Sequence, residues 1–187
     1  MEMSMLTAQY MGCGRLPSDT LLIVIDMQKD FVTGPLGTLE AKRMLPRLVQ
    51  KLAISKGECW YTLDTHDLSY LKTEEGKHLP VQHCIKGSEG HELVDELKPY
   101  LQNCRSFEKS TFASLRMAKA LLDRKDIARV ELVGVCTDIC VVSNALLIKA
   151  FRPDIHIVVD SNCCAGTTEK NHMAALQTLQ SCQIEVI

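Results

Sequence analysis

Short apolar runs alternate along the chain with longer segments whose apolar residues recur at helical spacing. Leu21-Leu22-Ile23-Val24-Ile25 is an unbroken run rich in β-branched residues and predicts a buried strand. Residues 40–54 then place Leu45, Leu48 and Leu52 on one helical face. Cys59-Trp60-Tyr61-Thr62-Leu63 predicts a second strand. Residues 64–90 are polar and show neither period, which predicts a long loop of the kind that often carries function. The pattern then predicts a helix over 92–101, a short strand over 104–107 and a helix over 112–122. It continues with a strand over 130–135, an apolar helix over 138–150, a strand over 155–159, a helix over 169–179 and a last strand over 184–187. Strands this continuously apolar, separated by helices, belong to a parallel sheet covered on both faces. The expected fold class is α/β: a three-layer α/β/α sandwich around a six-stranded parallel sheet, with Rossmann-like topology. We expect one domain over 1–187, with residues 1–18 as an N-terminal extension.

Composition narrows the function classes. The 187 residues are 46% hydrophobic and 24% charged, the balance of a globular chain able to bury a core unaided. Lys plus Arg number 21 and Asp plus Glu 23, a formal net charge of −2. No basic cluster is present to neutralise a phosphate backbone, so nucleic acid is not an expected partner. The longest apolar run is far too short to cross a bilayer, so no membrane partner is expected. The first residues lack the basic start and apolar stretch of a secretory signal. The nine cysteines are an odd number, with no CxxC and no repeating spacing. They read as reduced thiols, mostly packing residues, in a cytoplasmic protein.

Ligands of open α/β sheets sit at the carboxyl ends of the strands. There the first strand runs into Asp26, the second into Asp64 with His66 two residues on, and the third into Glu108 and Lys109. The fourth leads through Cys136-Thr137-Asp138-Ile139 to Cys140. If Asp138 caps the following helix, Cys140 lies in its first turn, where the helix dipole and a nearby Lys109 lower a thiol pKa. The reading is a Cys–Asp–Lys triad. Asp26 takes the proton of Cys140, Lys109 stabilises the thiolate, and backbone N–H groups near Cys136 and Cys140 hold an oxyanion. Asp64 and His66, two apart on an extended segment, face one side and can share an ion. His83 adds a second imidazole, and Glu75 or Glu74 a fourth donor, while His78 and His91 stand equally near in sequence. A carboxylate with two imidazoles suits a divalent Zn, Mn or Fe ion.

Taken together, Ile25-Asp26-Met27-Gln28, Asp30-Phe31, Asp64-Thr65-His66, Pro80 to His83 with Gly87, Lys109-Ser110 and Gly134-Val135-Cys136-Thr137-Asp138-Ile139-Cys140-Val141 occur in a familiar order. The chain resembles the isochorismatase-like cysteine hydrolases, and among them the nicotinamidase-type amidases. The resemblance implies a catalytic triad of Asp26, Lys109 and Cys140. It also implies a cis peptide between Val135 and Cys136 that aims the Cys136 and Cys140 amides at an oxyanion. It implies a metal on Asp64, His66 and His83, with Glu75 as a weaker fourth ligand, and Phe31 as an aromatic wall. The implied activity is conversion of nicotinamide to nicotinate and ammonia through a Cys140 thioester, in NAD salvage, with zinc the first expectation for the metal. Homo-oligomers, dimers or tetramers, are implied as well. The alternatives are hydrolysis of another small amide, such as an N-carbamoyl or ureido compound, and a non-catalytic binding protein on the same fold.

Overall fold

The computed structural model describes residues 19–55 and 57–187; the expected extension over 1–18 lies outside them. Six strands form one sheet in the order β3-β2-β1-β4-β5-β6, every pairing parallel. They are β1 (Thr20–Ile25), β2 (Glu58–Asp64), β3 (Arg105–Lys109), β4 (Arg129–Val135), β5 (His156–Ala165) and β6 (Glu185–Val186). This is the expected six-stranded α/β/α sandwich. All of β1 is buried because alternate residues enter two different cores. Leu21, Ile23 and Ile25 join one core, with Met117 and Leu121 of helix α5 (Leu115–Leu122), Ala145 and Ile148 of α6 (Val142–Phe151) and Leu176 and Leu179 of α7 (Glu169–Ser181). Leu22 and Val24 join the other, under α1 (Lys29–Val32) and α2 (Leu39–Ile54). Two covered faces leave no polar alternation to see in the strand. Lys51 of α2 ties that layer to the sheet through Glu131 at 2.5 Å and Asp160 at 2.6 Å, all three buried.

Several predicted boundaries shift, each for a local reason. The loop over 64–90 contains a one-turn helix, α3 (Glu74–His78), capped by the Thr73 hydroxyl. The helix expected over 92–101 shrinks to α4 (Lys98–Leu101). Residues before it are pinned in extended form against the end of β1: the Lys29 amide donates to the Glu92 carbonyl at 2.9 Å and the Val94 amide to the Met27 carbonyl at 3.0 Å. Pro99 stands at the start of α4, where its missing N–H is not needed. Helix α5 begins at Leu115, capped by Ser114, and leaves Phe112 half-exposed in the preceding loop. Strand β5 runs on to Ala165, past a register shift against β4 between Leu132 and Gly134. Gly134 has φ +117°, and a Cβ there would stand 2.1 Å from the Ile25 carbonyl oxygen. No helix among the described residues is long and apolar enough to cross a membrane.

Strand order reverses between β1 and β4. The chain lays β2 and β3 to one side of β1, then returns to start β4 on the other. A crevice opens at such a point beyond the carboxyl ends of the strands. Asp26 ends one of these two central strands and Cys140 follows the other.

Candidate active site

Asp26 follows β1 with φ +47°, in the left-handed region that Asp tolerates better than most residues. Its amide donates to the Thr62 hydroxyl at 3.2 Å, and that hydroxyl donates back to Asp26 Oδ1 at 2.6 Å. The other oxygen, Oδ2, stands 2.6 Å from Lys109 Nζ. Lys109 reaches two more groups: Asp64 Oδ1 at 3.2 Å and Cys140 Sγ at 3.5 Å. The Lys109 ammonium thus stands between Asp26 and Cys140. All five residues are buried.

Cys140 reaches this cluster through a widened turn. The Cys136 carbonyl accepts from the Ile139 amide at 3.1 Å and from the Val141 amide, five residues on, at 3.0 Å. The peptide between Val135 and Cys136 is cis, as expected. Asp138 does not cap this turn. Its carboxylate instead accepts from the Thr167 amide at 2.9 Å and hydroxyl at 2.5 Å, tying the turn to the segment before α7. Asn144, fully buried, donates to the Cys140 carbonyl at 2.8 Å and the Phe112 carbonyl at 3.0 Å.

Burial sets the protonation here. It pushes Asp26 up, with Lys109 pulling back and the Asp64 charge adding to the rise. Burial opposes the charge on Lys109, but Asp26, Cys140 and Asp64 outweigh it and hold the ammonium protonated. The expectation of a lowered Cys140 thiol pKa is not met. Burial and the Asp26 charge push it well above the ordinary value, against the pull of Lys109. Cys140 therefore rests as a thiol, not a free thiolate.

A second group adjoins the first through Asp64. Asp64 Oδ2 stands 2.9 Å from His66 Nε2 and 3.3 Å from His83 Nε2. Glu75 Oε1 lies 3.8 Å from His66 Nε2 and 3.7 Å from His83 Nε2. Burial pushes Asp64 up, yet hydrogen bonds from His66 and His83 and the Lys109 charge hold it below the usual carboxylate range. The alternatives in the loop fall away. Glu74 is exposed and paired with Lys77, and His78 is exposed against the Glu74 carbonyl. His91 pairs with the Thr65 hydroxyl at 2.8 Å. Phe31 is buried, its ring 5.5 Å from that of His83.

The isochorismatase domain matches residues 20–187. The chain belongs to the isochorismatase family. An uncharacterized isochorismatase family protein PncA of Bacillus subtilis (strain 168) is 34% identical over 170 residues, 83% of this chain and 91% of that protein. A crystal structure of nicotinamidase PncA from Bacillus subtilis superposes with a TM-score of 0.74 at 26% identity, covering 90% of this chain and 98% of that one. Pyrazinamidase of Pyrococcus horikoshii, solved in complex with zinc, shares the fold with a TM-score of 0.74 at 22% identity, over 90% of this chain and 98% of that one. The chain thus has the fold of an isochorismatase-family hydrolase.

The residues of this isochorismatase-family site fit a divalent cation. Donor atoms of Asp64, His66, Glu75 and His83 all lie within 4.8 Å of one another. Ligands about 2.1 Å from a tetrahedral ion stand about 3.4 Å apart, near the spacings found here. His83 Nδ1 faces the Val81 carbonyl at 2.8 Å. A carbonyl only accepts, so Nδ1 carries a hydrogen and Nε2 is the nitrogen turned to the group, where a bound cation would displace its proton and take its lone pair, the usual support of a ligating histidine. The chemistry agrees: three acidic residues, Asp26, Asp64 and Glu75, gather about the single ammonium of Lys109.

Three positioning residues escaped the sequence reading. Gln28 entered it only as part of a motif, yet its fully buried side chain clamps Asp64. Its Oε1 accepts from the Asp64 amide at 2.7 Å, and its Nε2 donates to the Asp64 carbonyl at 2.8 Å and the His91 carbonyl at 2.9 Å. Tyr70 is buried with its ring 4.6 Å from His66 and 4.9 Å from His83, its hydroxyl donating to the Leu79 carbonyl at 2.9 Å. Thr62 braces Asp26 as described. A buried polar residue in or beside an apolar run is the one sequence signal that Gln28 and Thr62 offered.

Proposed function

We propose that the chain is a nicotinamidase-type amidase that hydrolyses nicotinamide to nicotinate and ammonia. The observation that carries this reading is Lys109, whose single ammonium touches Asp26, Asp64 and Cys140. It joins a carboxylate–thiol pair to a metal-donor set across one residue. The likeness to solved nicotinamidases at 26% identity is consistent with it.

In this mechanism Asp26 accepts the Cys140 proton as the sulfur attacks the amide carbon. Burial raises its pKa above that of an ordinary carboxylate, which suits a base of this kind. The amides of Cys136 and Cys140 hold the oxygen of the tetrahedral adduct. Asp26 then passes the proton to the leaving nitrogen, ammonia departs, and a thioester remains on Cys140. Asp26 takes a proton from water as the water oxygen attacks the thioester. Collapse releases the acid and expels the sulfur, which recovers its proton from Asp26. Lys109 stays charged throughout and balances whichever of Asp26 and Cys140 bears the negative charge. Asp64, His66, His83 and Glu75 would hold a divalent ion, zinc in this reading, which supplies a Lewis acid for the pyridine nitrogen of the substrate. Phe31 lines the ring. The test is ammonia release from nicotinamide by zinc-loaded protein, with an N-carbamoyl compound alongside. Release from nicotinamide supports the assignment; release only from the carbamoyl compound, or from neither, refutes it.

A further inference from the structure

A pair of thiols lies at the opposite end of the sheet from the candidate active site. Strands β2 and β3 run parallel with Trp60 opposite Arg105. Cys59 and Cys104 are the residues immediately before this pair, where the two strands come together. Neighbouring strands lie about 4.8 Å apart, within the span of about 4.4–6.8 Å that a disulfide bridges. Both side chains pack against the same apolar cluster, so they share one face. The Cys59 thiol donates to the Trp60 carbonyl at 3.6 Å and the Cys104 thiol to the Tyr100 carbonyl at 3.4 Å, and each sulfur shifts the protonation of the other. Both are free and half-buried, open to a small reagent. Five residues separate each from its strand's site residue, Asp64 or Lys109, a distance of about 16 Å.

We propose that Cys59 and Cys104 form a second thiol site, one that a small hydroperoxide closes to a disulfide before Cys140 reacts. The two cysteines are unequal. The neighbouring Cys59 holds the Cys104 thiol down at about 7, against burial and the Glu58 charge. Cys59 itself is pushed far up by the Cys104 sulfur, burial and Glu58. Cys104 is therefore the attacking sulfur. Its thiolate attacks one peroxide oxygen, the O–O bond breaks, and the departing oxygen leaves as water after taking a proton. The sulfenic acid so formed is attacked by the Cys59 sulfur. The S–O bond breaks, a second water leaves with the Cys59 proton, and the S–S bond forms. Two thiols lose two electrons and two protons, and one hydrogen peroxide becomes two waters. Cys140 lags because its thiol is buried and held protonated.

The test treats the reduced full chain with one equivalent of hydrogen peroxide at pH 7, alkylates the remaining thiols in denaturant and maps the peptides. The expected product is a Cys59–Cys104 crosslinked peptide, lighter by two hydrogens, with Cys140 alkylated. Alkylation of both Cys59 and Cys104 while Cys140 is oxidised overturns the proposal, as does Cys104 oxidised without joining Cys59. Folded Cys59→Ala protein, checked by circular dichroism, provides a second measure. Losing the neighbouring sulfur should slow iodoacetamide alkylation of Cys104 at pH 7 about fivefold, the gain in nucleophilicity partly offsetting the smaller thiolate fraction. An unchanged rate refutes the assignment of Cys104 as the attacking thiol.

Discussion

Replacing Gln28 with Ala tests whether the metal-donor set is held by its surroundings. The side chain makes three hydrogen bonds, all to backbone, in a fully buried position. Ala leaves the Asp64 N–H and the Asp64 and His91 carbonyls without this partner. A buried group so orphaned costs about 1–3 kcal/mol, and at the lower end the three together cost about 3 kcal/mol. The lost volume adds about 1 kcal/mol, for a total of about 4 kcal/mol. A domain stable by about 5–15 kcal/mol survives that loss. With a urea slope of about 2 kcal/mol/M, the unfolding midpoint should fall by about 2 M. Because the same bonds fix the Asp64 backbone, zinc affinity should also fall about tenfold to a hundredfold. Gln28→Glu sharpens the argument. It keeps an acceptor for the Asp64 amide but sets a carboxylate against two carbonyls, so it should be no milder than Ala. A Gln28→Ala midpoint within about 0.3 M of the parent, with unchanged zinc affinity, would show that the side chain only fills space.

The other predictions concern the thiols at the sheet centre. Cys140→Ala should fold and bind zinc like the parent while losing at least about a thousandfold in ammonia release; retained activity in a steady-state assay removes the sulfur from the mechanism. Cys140 and Cys164 are both buried with thiols pushed well above their ordinary value of 9.0. Below pH 9 both states keep these protons, so the two groups contribute nothing. Above it the unfolded thiols ionise and the native ones do not, so stability falls as pH rises. At pH 10 the loss is about 1.4 kcal/mol per thiol, about 3 kcal/mol for the pair. Urea titrations at pH 8 and pH 10 should therefore show a Cys140→Ala, Cys164→Ala double variant losing about 3 kcal/mol less than the parent; equal losses would contradict the burial argument.

Particular residues mark where the sequence was readable. The run Leu21 to Ile25 announced a strand covered on both faces because each of its side chains is apolar, whichever core it enters. The same alternation of strand and helix placed Asp26, Asp64, Lys109 and Cys140 at strand ends or just beyond. The segment over 92–101 misled because Leu93, Leu97 and Leu101 have helical spacing, while the hydrogen bonds that stretch its first half come from Met27 and Lys29, some 65 residues away. That distance lies outside any local pattern.

The chain pattern by itself determined the layers, the parallel sheet and the types of reactive group on one rim. Only the tertiary structure decided which of those groups meet. Glu74 and Glu75 are neighbours on one helical turn, yet about 100° of rotation sends one to solvent and the other to His66 and His83. Likewise the Cys140 thiol is held protonated by burial and by a carboxylate from another strand. Periodicity is a property of neighbours along the chain, whereas contact and desolvation depend on atoms that arrive from three strands and a loop.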